Sequence, residues 1–364
     1  MKIGIVTVHD LNNFGAFLQA YGLKNVLENM GHEVFHIRSY SKKYARGMFY
    51  RIRPYGNEYF HLPSFIALNF KGFRKHLVFL KAQKCFRVLD QYDEDLDMII
   101  LGSDEIWNVT NPLFREPAFY GAGMKRVMAY APSIGNATVE ELKCIPKEYF
   151  QRINPILARD KNTVSFLKTM DIDAPTVCDP TLLADRSIFM RPYRHKLMDG
   201  VPYLLLYLYG YELNKAEIKA VRDFAAQRGL RILSVCFDIP WCDGTINCSP
   251  LDFCAVIQKA EYVVTATFHG TIFSILNHKH FVSLPQSPKT CALLESLGLQ
   301  QHILHHEEWT TENLTHILSE QNIDYKSVDA IIGRMQTNSR ELLNSGVNLY
   351  QKESTGGING NKVY

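Results

Sequence analysis

The stretch Tyr262-Val-Val-Thr-Ala-Thr-Phe-His-Gly-Thr-Ile-Phe-Ser-Ile-Leu276 predicts a buried strand followed by an apolar helix. Tyr262–Thr265 has the β-branched composition of a strand, and the residues from about Thr271 onward are typical of a helix packed on most sides. In open α/β sheets, ligands bind where the carboxyl end of a strand meets the amino end of the next helix. The stretch therefore predicts an α/β sheet with a ligand site at this turn.

The turn itself, Ala266-Thr-Phe-His-Gly270, carries one ionisable side chain. Histidine is the side chain suited to proton transfer near neutral pH, so His269 is the candidate catalytic acid or base. Gly270 allows the backbone to come close to a ligand. The simpler alternative is a histidine that only ties the loop to a backbone carbonyl.

Length and composition restrict the class of protein. A chain of 364 residues, 46% of them hydrophobic, predicts a folded protein of two domains. No apolar run approaches the roughly 18 residues that span a membrane, and the run ending at Val8 is too short for a secretory signal, so we expect a cytoplasmic protein. Eight scattered cysteines without a Cys-x-x-Cys pair indicate reduced thiols and no metal site.

Residues 2–37 are predicted to form a strand, a helix and a second strand, the start of a right-handed βαβ unit. The loop before the helix contains Asn12, Asn13 and Gly15. Asparagine tolerates left-handed backbone and glycine permits close approach, so we predict that this loop binds substrate; the alternative is a plain turn. No Gly-x-Gly-x-x-Gly occurs, which argues against a nicotinamide-dinucleotide site.

Polar residues also follow the predicted strand Leu96–Leu101. Ser103 offers a hydroxyl, and Asp104 could act as a base or bind sugar hydroxyls, although it could equally cap the following segment. Trp107 is a candidate platform for a sugar face or, alternatively, a core residue.

Arg159 directly follows a short predicted strand that ends at Ala158. A guanidinium at this position could hold a carboxylate or phosphate through two parallel hydrogen bonds. The alternative is an arginine that pairs with a structural carboxylate. If the sheet is parallel, all these loops lie on one edge and could form one site.

A change to Arg- and Pro-rich sequence near residues 185–200 predicts a domain boundary. We assign residues 1–190 to an N-terminal Rossmann-like domain, 195–310 to a second Rossmann-like domain and 311–364 to a C-terminal helical tail. Two such units with ligand loops facing a shared cleft predict a reaction between two bound molecules.

A basic, aromatic insertion at residues 38–90 interrupts the first domain. Between Arg38 and Val88 there are twelve Lys or Arg residues and one acidic residue, Glu58. The segment could lie on an anionic membrane surface, or it could be a solvated cover for the sheet edge. Nucleic-acid binding is the least favoured interpretation, because no recognised nucleic-acid motif accompanies the charge.

Several motifs, taken together and in order, resemble those of the polysaccharide pyruvyltransferase family over about residues 1–285. The matching segments are Asn12-Asn-Phe-Gly-Ala-Phe-Leu-Gln-Ala20, Leu101-Gly-Ser-Asp-Glu-Ile-Trp-Asn108, Tyr130-Ala-Pro-Ser-Ile-Gly135, Ala158-Arg-Asp-Lys161, Cys178-Asp-Pro-Thr-Leu-Leu183 and Thr267-Phe-His-Gly-Thr-Ile-Phe-Ser274.

This resemblance implies two Rossmann-like domains facing a cleft, arranged as in GT-B glycosyltransferases. It implies transfer from phosphoenolpyruvate to sugar hydroxyls, which gives a pyruvate ketal on a cell-surface polysaccharide or its precursor without a further cofactor. His269 matches the family's histidine in its His-Gly motif, and Arg159 matches an arginine expected to bind the donor anion. Several family members carry an arginine two residues before the histidine, where this chain has Thr267.

The expected partners are phosphoenolpyruvate, a glycan or lipid-linked sugar acceptor and an anionic membrane at the inner face of the cell, but no nucleic acid. Two other functions stay open. One is a GT-B glycosyltransferase that uses a nucleotide sugar. The other is a non-catalytic, membrane-associated protein of glycan assembly, in which the basic insertion is the functional part.

Overall fold

Two parallel sheets organise the chain in the computed structural model, which describes residues 1–38, 76–284 and 287–356. The strands of the first sheet are β1 (Lys2–Val6), β2 (Glu33–Ile37), β3 (Val88–Leu89), β4 (Met98–Leu101), β5 (Val127–Tyr130) and β6 (Ile156–Leu157). Their order across the sheet is β3-β2-β1-β4-β5-β6, and all neighbours are parallel. Strand β4 is apolar at every position because helices bury both faces of a parallel sheet.

The second sheet is built from residues 203–283. Its strands are β7 (Tyr203–Tyr207), β8 (Arg231–Val235), β9 (Gly244–Ile246), β10 (Tyr262–Thr265) and β11 (His280–Ser283). They lie in the order β11-β10-β7-β8-β9, again with parallel neighbours. The boundary that we predict between residues 190 and 195 falls between the two sheets.

Helices cover both sheets and connect their strands. The named α-helices are α1 (Phe14–Asn29), α2 (Val139–Leu142), α3 (Lys147–Gln151), α4 (Lys161–Lys168), α5 (Pro180–Leu183), α6 (Lys215–Gln227), α7 (Phe253–Lys259), α8 (Phe268–Leu276), α9 (Pro288–Ser296), α10 (Thr311–Thr315) and α11 (Tyr325–Gly356). Single 3₁₀ turns occupy Pro112–Arg115, Pro117–Tyr120, Arg186–Phe189, Lys196–Met198, Pro250–Asp252, Gln300–His302 and His306–Glu308, and a π-helical turn occupies His316–Glu320.

The predicted fold class, two Rossmann-like units of parallel sheet with a C-terminal helix, is confirmed. The segment at residues 174–178 has the composition of a strand, but it makes only a single bridge, from Thr176 to Ala158, because the chain turns at once into α5. Helix α8 begins at Phe268 rather than near Thr271, since the Thr267 side chain already caps it. His269 therefore lies in the first turn of a helix and not in a loop.

The basic insertion lies mostly outside the described residues. Of the segment predicted at 38–90, the structure describes Arg38 and residues 76–90. Residues 76–83 are helical, and their Phe79 is buried against Phe14 at a ring-centroid distance of 5.3 Å. Within the described ranges, no helix combines the length and the hydrophobicity that a membrane span requires.

Helix α11, from the segment predicted as a helical tail, connects both domains. Near its start the Tyr325 hydroxyl donates to the carbonyl of Lys279, in the second domain. Near its end Val347 is fully buried in the core that β1 and β5 share, and the Tyr350 hydroxyl donates to the carbonyl of Val127, 3.2 Å away. The last described helix thus completes the core of the first domain.

Candidate active site

The site is centred on the amino end of α8, where β10 ends. Thr267 is the N-cap residue: its Oγ1 accepts a hydrogen bond from the N–H of Gly270 at 2.9 Å. An added Cβ on Gly270 would lie 2.1 Å from Thr265 Oγ1, so the glycine allows α8 to approach the end of its own strand. These contacts place His269 in the first turn of α8 with 7% of its surface exposed.

The imidazole of His269 packs directly against the other domain. A Cβ built on Gly15, in the first turn of α1, would lie 2.2 Å from His269 Nδ1. We predict a close backbone approach at Gly15, and in the structure the group that approaches it is this imidazole. The capping side chain of α1 is Asn13, whose Oδ1 accepts from the N–H of Ala16, while the buried Oδ1 of Asn12 has no hydrogen-bond partner.

With His269 as the predicted catalytic group, replacing Gly15 by alanine is expected to lower kcat by about 100-fold, because displacing such a group by about 1 Å costs on this order. The new methyl group must push the His269 ring away, whereas alanine favours the helix itself by roughly 1 kcal/mol. Steady-state kinetics together with thermal unfolding measures both effects. Gly333→Ala is the matched control, since the added Cβ meets no atom within 4 Å apart from the backbone of its own helix α11. Unchanged kcat in Gly15→Ala would contradict a catalytic His269.

Arg159 lies at the centre of a buried ionic network. Its Nη1 donates to Asp104 Oδ1 at 3.2 Å and to Asp179 Oδ2 at 3.1 Å, and its side chain is 4% exposed. Asp179 Oδ1 lies 3.8 Å from His269 Nε2, within ion-pair distance when the imidazole is protonated but too far for a good hydrogen bond. Asp179 therefore stands between the two predicted site residues, one from each domain.

The charges of this network perturb one another. Burial alone would raise the pKa of Asp179, but the adjacent His269 and Arg159 and the N–H of Thr181 lower it below its ordinary value. Burial likewise opposes ionisation of Asp104, and Lys289 and Arg159 overcome this and lower its pKa. Both carboxylates are thus held ionised, and Arg159 is held as a cation.

Lys289 in α9 adds a second cation from the second domain. Its Nζ lies 2.6 Å from Glu105 Oε1 and 5.0 Å from the centre of the Phe268 ring. The Arg159 guanidinium carbon lies 5.5 Å from the same ring. Two cations therefore flank the aromatic residue that begins α8, and acidic residues of the first domain balance them.

Two predicted substrate contacts are wrong. The Trp107 indole is fully buried and its Nε1 donates to the carbonyl of Phe119, so it is a core residue and no sugar platform. Ser103 is also fully buried, and its hydroxyl donates to Gln19 Oε1 at 2.7 Å. Asp104, which follows them, does face the site, with its backbone in the left-handed region at φ 80°.

Three charged residues of the site are not among the predicted site residues: Asp179, Glu105 and Lys289. Asp179 could have been found, because it follows directly on the segment that resembles a strand at residues 174–178. Lys289, the second residue of a helix, has no distinguishing local pattern. Substrate binding by Arg159, Asn12, Asn13, Gly15, Asp104, Thr267 and Gly270 stays a prediction.

Comparison with known proteins gives one family. The model of the family described as "Polysaccharide pyruvyl transferase" matches residues 13–288. The match includes Gly15, Asp104, Arg159, Asp179 and His269, and it ends one residue before Lys289. No curated protein sequence matches this chain.

Solved structures with the same fold are distant in sequence. A putative UDP-N-acetylglucosamine 2-epimerase from Listeria monocytogenes has a TM-score of 0.55 at 12% identity, covering 97% of each chain. MnaA from S. aureus, solved with UDP, has a TM-score of 0.50 at 14% identity, covering 91% of this chain and 90% of that chain. At these identities the similarity concerns the fold alone, the two facing α/β domains of the GT-B type.

Proposed function

Since the chain belongs to the polysaccharide pyruvyl transferase family, we propose that it transfers a pyruvyl group from phosphoenolpyruvate to hydroxyls of a sugar. The acceptor is a cell-surface polysaccharide or its precursor, and the product is a pyruvate ketal. The observation that carries this proposal is the buried guanidinium of Arg159 beside His269, at the amino end of α8.

Arg159 supports an anionic donor because its hydrogen-bonding capacity is only partly used. Nη1 serves two carboxylates, whereas Nε and Nη2 are buried and have no hydrogen-bond partner. Buried N–H donors without acceptors cost free energy, which an anionic ligand recovers when it accepts these hydrogen bonds. Phosphoenolpyruvate carries a carboxylate and a phosphate, and either group fits a planar guanidinium.

Lys289 and the first N–H groups of α8 supply further positive potential. Lys289 is 17% exposed and pairs with Glu105, so a donor phosphate entering the cleft competes with that carboxylate for the ammonium group. The amino end of an α-helix favours an anion through its unpaired N–H groups and its dipole. This chain has Thr267 in the position where several family members carry an arginine, and we assign the missing charge to Lys289.

The proposed chemistry is acid catalysis followed by addition. A proton is added to the methylene carbon of phosphoenolpyruvate, and C2 becomes an oxocarbenium-like electrophile. A sugar hydroxyl attacks C2 and loses its proton. The C2–O bond to phosphate then breaks, and a second hydroxyl attacks C2 to close the ketal, while its proton is taken up by the departing phosphate. The balance is one phosphoenolpyruvate and one diol giving one ketal and one inorganic phosphate.

His269 is the group that we assign to these proton transfers. Its Nε2 has no hydrogen-bond partner and lies 3.8 Å from the Asp179 carboxylate. An adjacent carboxylate stabilises an imidazolium and fixes the orientation of the ring, and an imidazole can both give and take a proton near neutral pH. The backbone of Gly15 packs against the opposite edge of the ring, at Nδ1.

The test uses the purified full chain, phosphoenolpyruvate and a lipid-linked sugar fraction from the source cells. The expected result is inorganic phosphate release that depends on the acceptor, together with a cyclic ketal on the acceptor by mass spectrometry. Nucleoside diphosphate release from a nucleotide sugar would instead support the glycosyltransferase alternative. Neither product would support the non-catalytic alternative.

A lipid-linked acceptor places the enzyme at the inner face of the cell membrane, and the surface of residues 76–84 supports this location. Leu77 and Leu80 are 47% and 43% exposed, and Lys81 and Lys84 are exposed at helical spacing on the same face. Leucine side chains can enter the lipid interface while lysines pair with anionic headgroups. The strongly basic sequence from Arg38 to Val88 adds to this attraction.

Replacing Lys81 and Lys84 by glutamine is expected to weaken binding to anionic vesicles by about 30-fold, because each lysine near the surface contributes about 1 kcal/mol. Vesicle sedimentation at low salt measures the change, and binding should fall at high salt. The matched control is Lys215→Gln with Lys326→Gln, which removes two exposed lysines elsewhere. Equal loss in both double variants would show that net charge and not this surface determines binding.

A further inference from the structure

We propose that helix α11 is a positioning element of the active site, which holds Asp179 in place through Gln336, Ser339 and Arg340. The inference rests on the proposed function in one respect, the role of Asp179 beside His269. It assigns a function to a helix that lies beyond the residues 13–288 shared with the family.

Three side chains of α11 bind the backbone of the turn that carries Asp179. Ser339 Oγ accepts from the N–H of Cys178 at 3.0 Å, directly before Asp179. After Asp179, Gln336 Nε2 donates to the carbonyl of Leu182 at 2.6 Å and Arg340 Nη2 donates to that of Leu183 at 2.9 Å. The turn is therefore fixed to α11 on both sides of the carboxylate.

The orientation of the Asp179 carboxylate follows from this turn. Its Oδ1 accepts from the N–H and the hydroxyl of Thr181, at 2.9 and 2.7 Å, which leaves Oδ2 to receive Arg159. From the first domain, the Tyr130 hydroxyl donates to the carbonyl of Cys178 at 2.9 Å. A displacement of the turn thus moves the carboxylate away from Arg159 and His269 together.

Apolar contacts also dock α11, apart from these polar ones. Farther along the helix, Leu343 and Val347 are fully buried, and Gly346 lets the backbone pack onto Met128 and Pro155. The apolar end anchors the helix, whereas the three polar contacts concentrate on the turn of Asp179. Ser339 is 1% exposed, so water does not compete for the hydrogen bond that its hydroxyl accepts.

The same helix is attached to the second domain. The Tyr325 hydroxyl donates to the carbonyl of Lys279, and Asp329 pairs with His278 at 3.0 Å. From Tyr325 to Ser339 is about 21 Å of continuous helix at 1.5 Å per residue. Helix α11 thus links the second domain, which carries His269, to the turn that carries Asp179.

The test compares Ser339→Ala and Arg340→Ala with Arg334→Ala, an exposed arginine on the same helix. We expect Ser339→Ala to lower kcat/KM by about tenfold, on the scale of one buried hydrogen bond. Arg340→Ala should lower it less, because the Arg340 side chain is exposed and its hydrogen bond is only partly buried. Arg340→Lys, which keeps a donor, should recover most of the loss, and Arg334→Ala should be neutral. A double-mutant cycle tests whether Ser339 acts through Asp179. In an Asp179→Asn background, Ser339→Ala should lower kcat/KM almost no further.

Equal losses in both backgrounds, or a loss that only follows the thermal midpoint, would overturn the proposal in favour of a purely structural helix. Histidine NMR signals provide a readout that does not depend on turnover: the His269 resonance, assigned through His269→Gln, should change its chemical shift in Ser339→Ala but not in Arg334→Ala. If the wild-type chain fails to release phosphate, the proposed function fails while this NMR comparison still decides the role of α11.

Discussion

Arg159→Met is expected to destabilise the protein by about 3–5 kcal/mol and to abolish saturation with phosphoenolpyruvate. The side chain is almost fully buried between Asp104 and Asp179, so its removal leaves two ionised carboxylates without their shared cation. It also removes the two unpaired donor nitrogens, Nε and Nη2, that we assign to the donor anion. Denaturant unfolding and initial rates measure the two losses separately.

The same variant should unfold at a higher pH on acidification. The pKa of Asp179 is lowered in the folded protein, so its ionisation stabilises the fold above the ordinary Asp pKa of about 3.9, and this contribution is lost as the pH falls. Without Arg159 the pKa of Asp179 is lowered less, so its ionisation contributes less to the free energy of unfolding above that pH. Arg334→Met is the matched control. A stable Arg159→Met variant with an unchanged donor KM would refute both roles of the guanidinium.

His269→Gln is expected to lower kcat by about 10²–10⁴-fold, the range for loss of a general acid or base. Stability should change little, because Nε2 of the ring has no hydrogen-bond partner that glutamine would leave unpaired. The donor KM should change less than kcat, since Arg159 and Lys289 remain. Rates of phosphate release, compared with calorimetric binding of phosphoenolpyruvate, separate the two quantities.

His316→Gln serves as the control for His269→Gln, because His316 is exposed and makes a surface pair with Glu320. Wild-type kcat in His269→Gln would exclude the imidazole from chemistry and leave it as a packing partner of Gly15. Loss of donor binding together with kcat would instead assign His269 to binding the donor.

The sequence predicts the fold and the centre of the site because both depend on local patterns. Buried strands such as Tyr262–Thr265 are recognised by composition, and parallel strands place their carboxyl ends on one edge. His269 and Arg159 both follow such strands, and in the structure both contact Asp179.

The rest of the site depends on contacts between distant segments. Lys289 pairs with Glu105 across the two domains, and nothing in the sequence around either residue encodes that pairing. Trp107 follows a strand as a ligand-binding aromatic residue would, but Tyr120 and Phe150 cover it. The positioning side chains of α11 belong to a segment that the sequence predicts only as a helical tail.

The late position of α11 in the chain has a consequence for synthesis of the protein. The last strand of the first sheet ends at Leu157, yet the surface formed by Met128 and Pro155 is covered only when the residues around Gly346 emerge. At 5–20 residues per second this interval is about 10–40 s. During that time the first domain of the ribosome-bound chain has an uncovered apolar surface. A chain truncated before α11 keeps this surface uncovered and should be recovered bound to chaperones or aggregated.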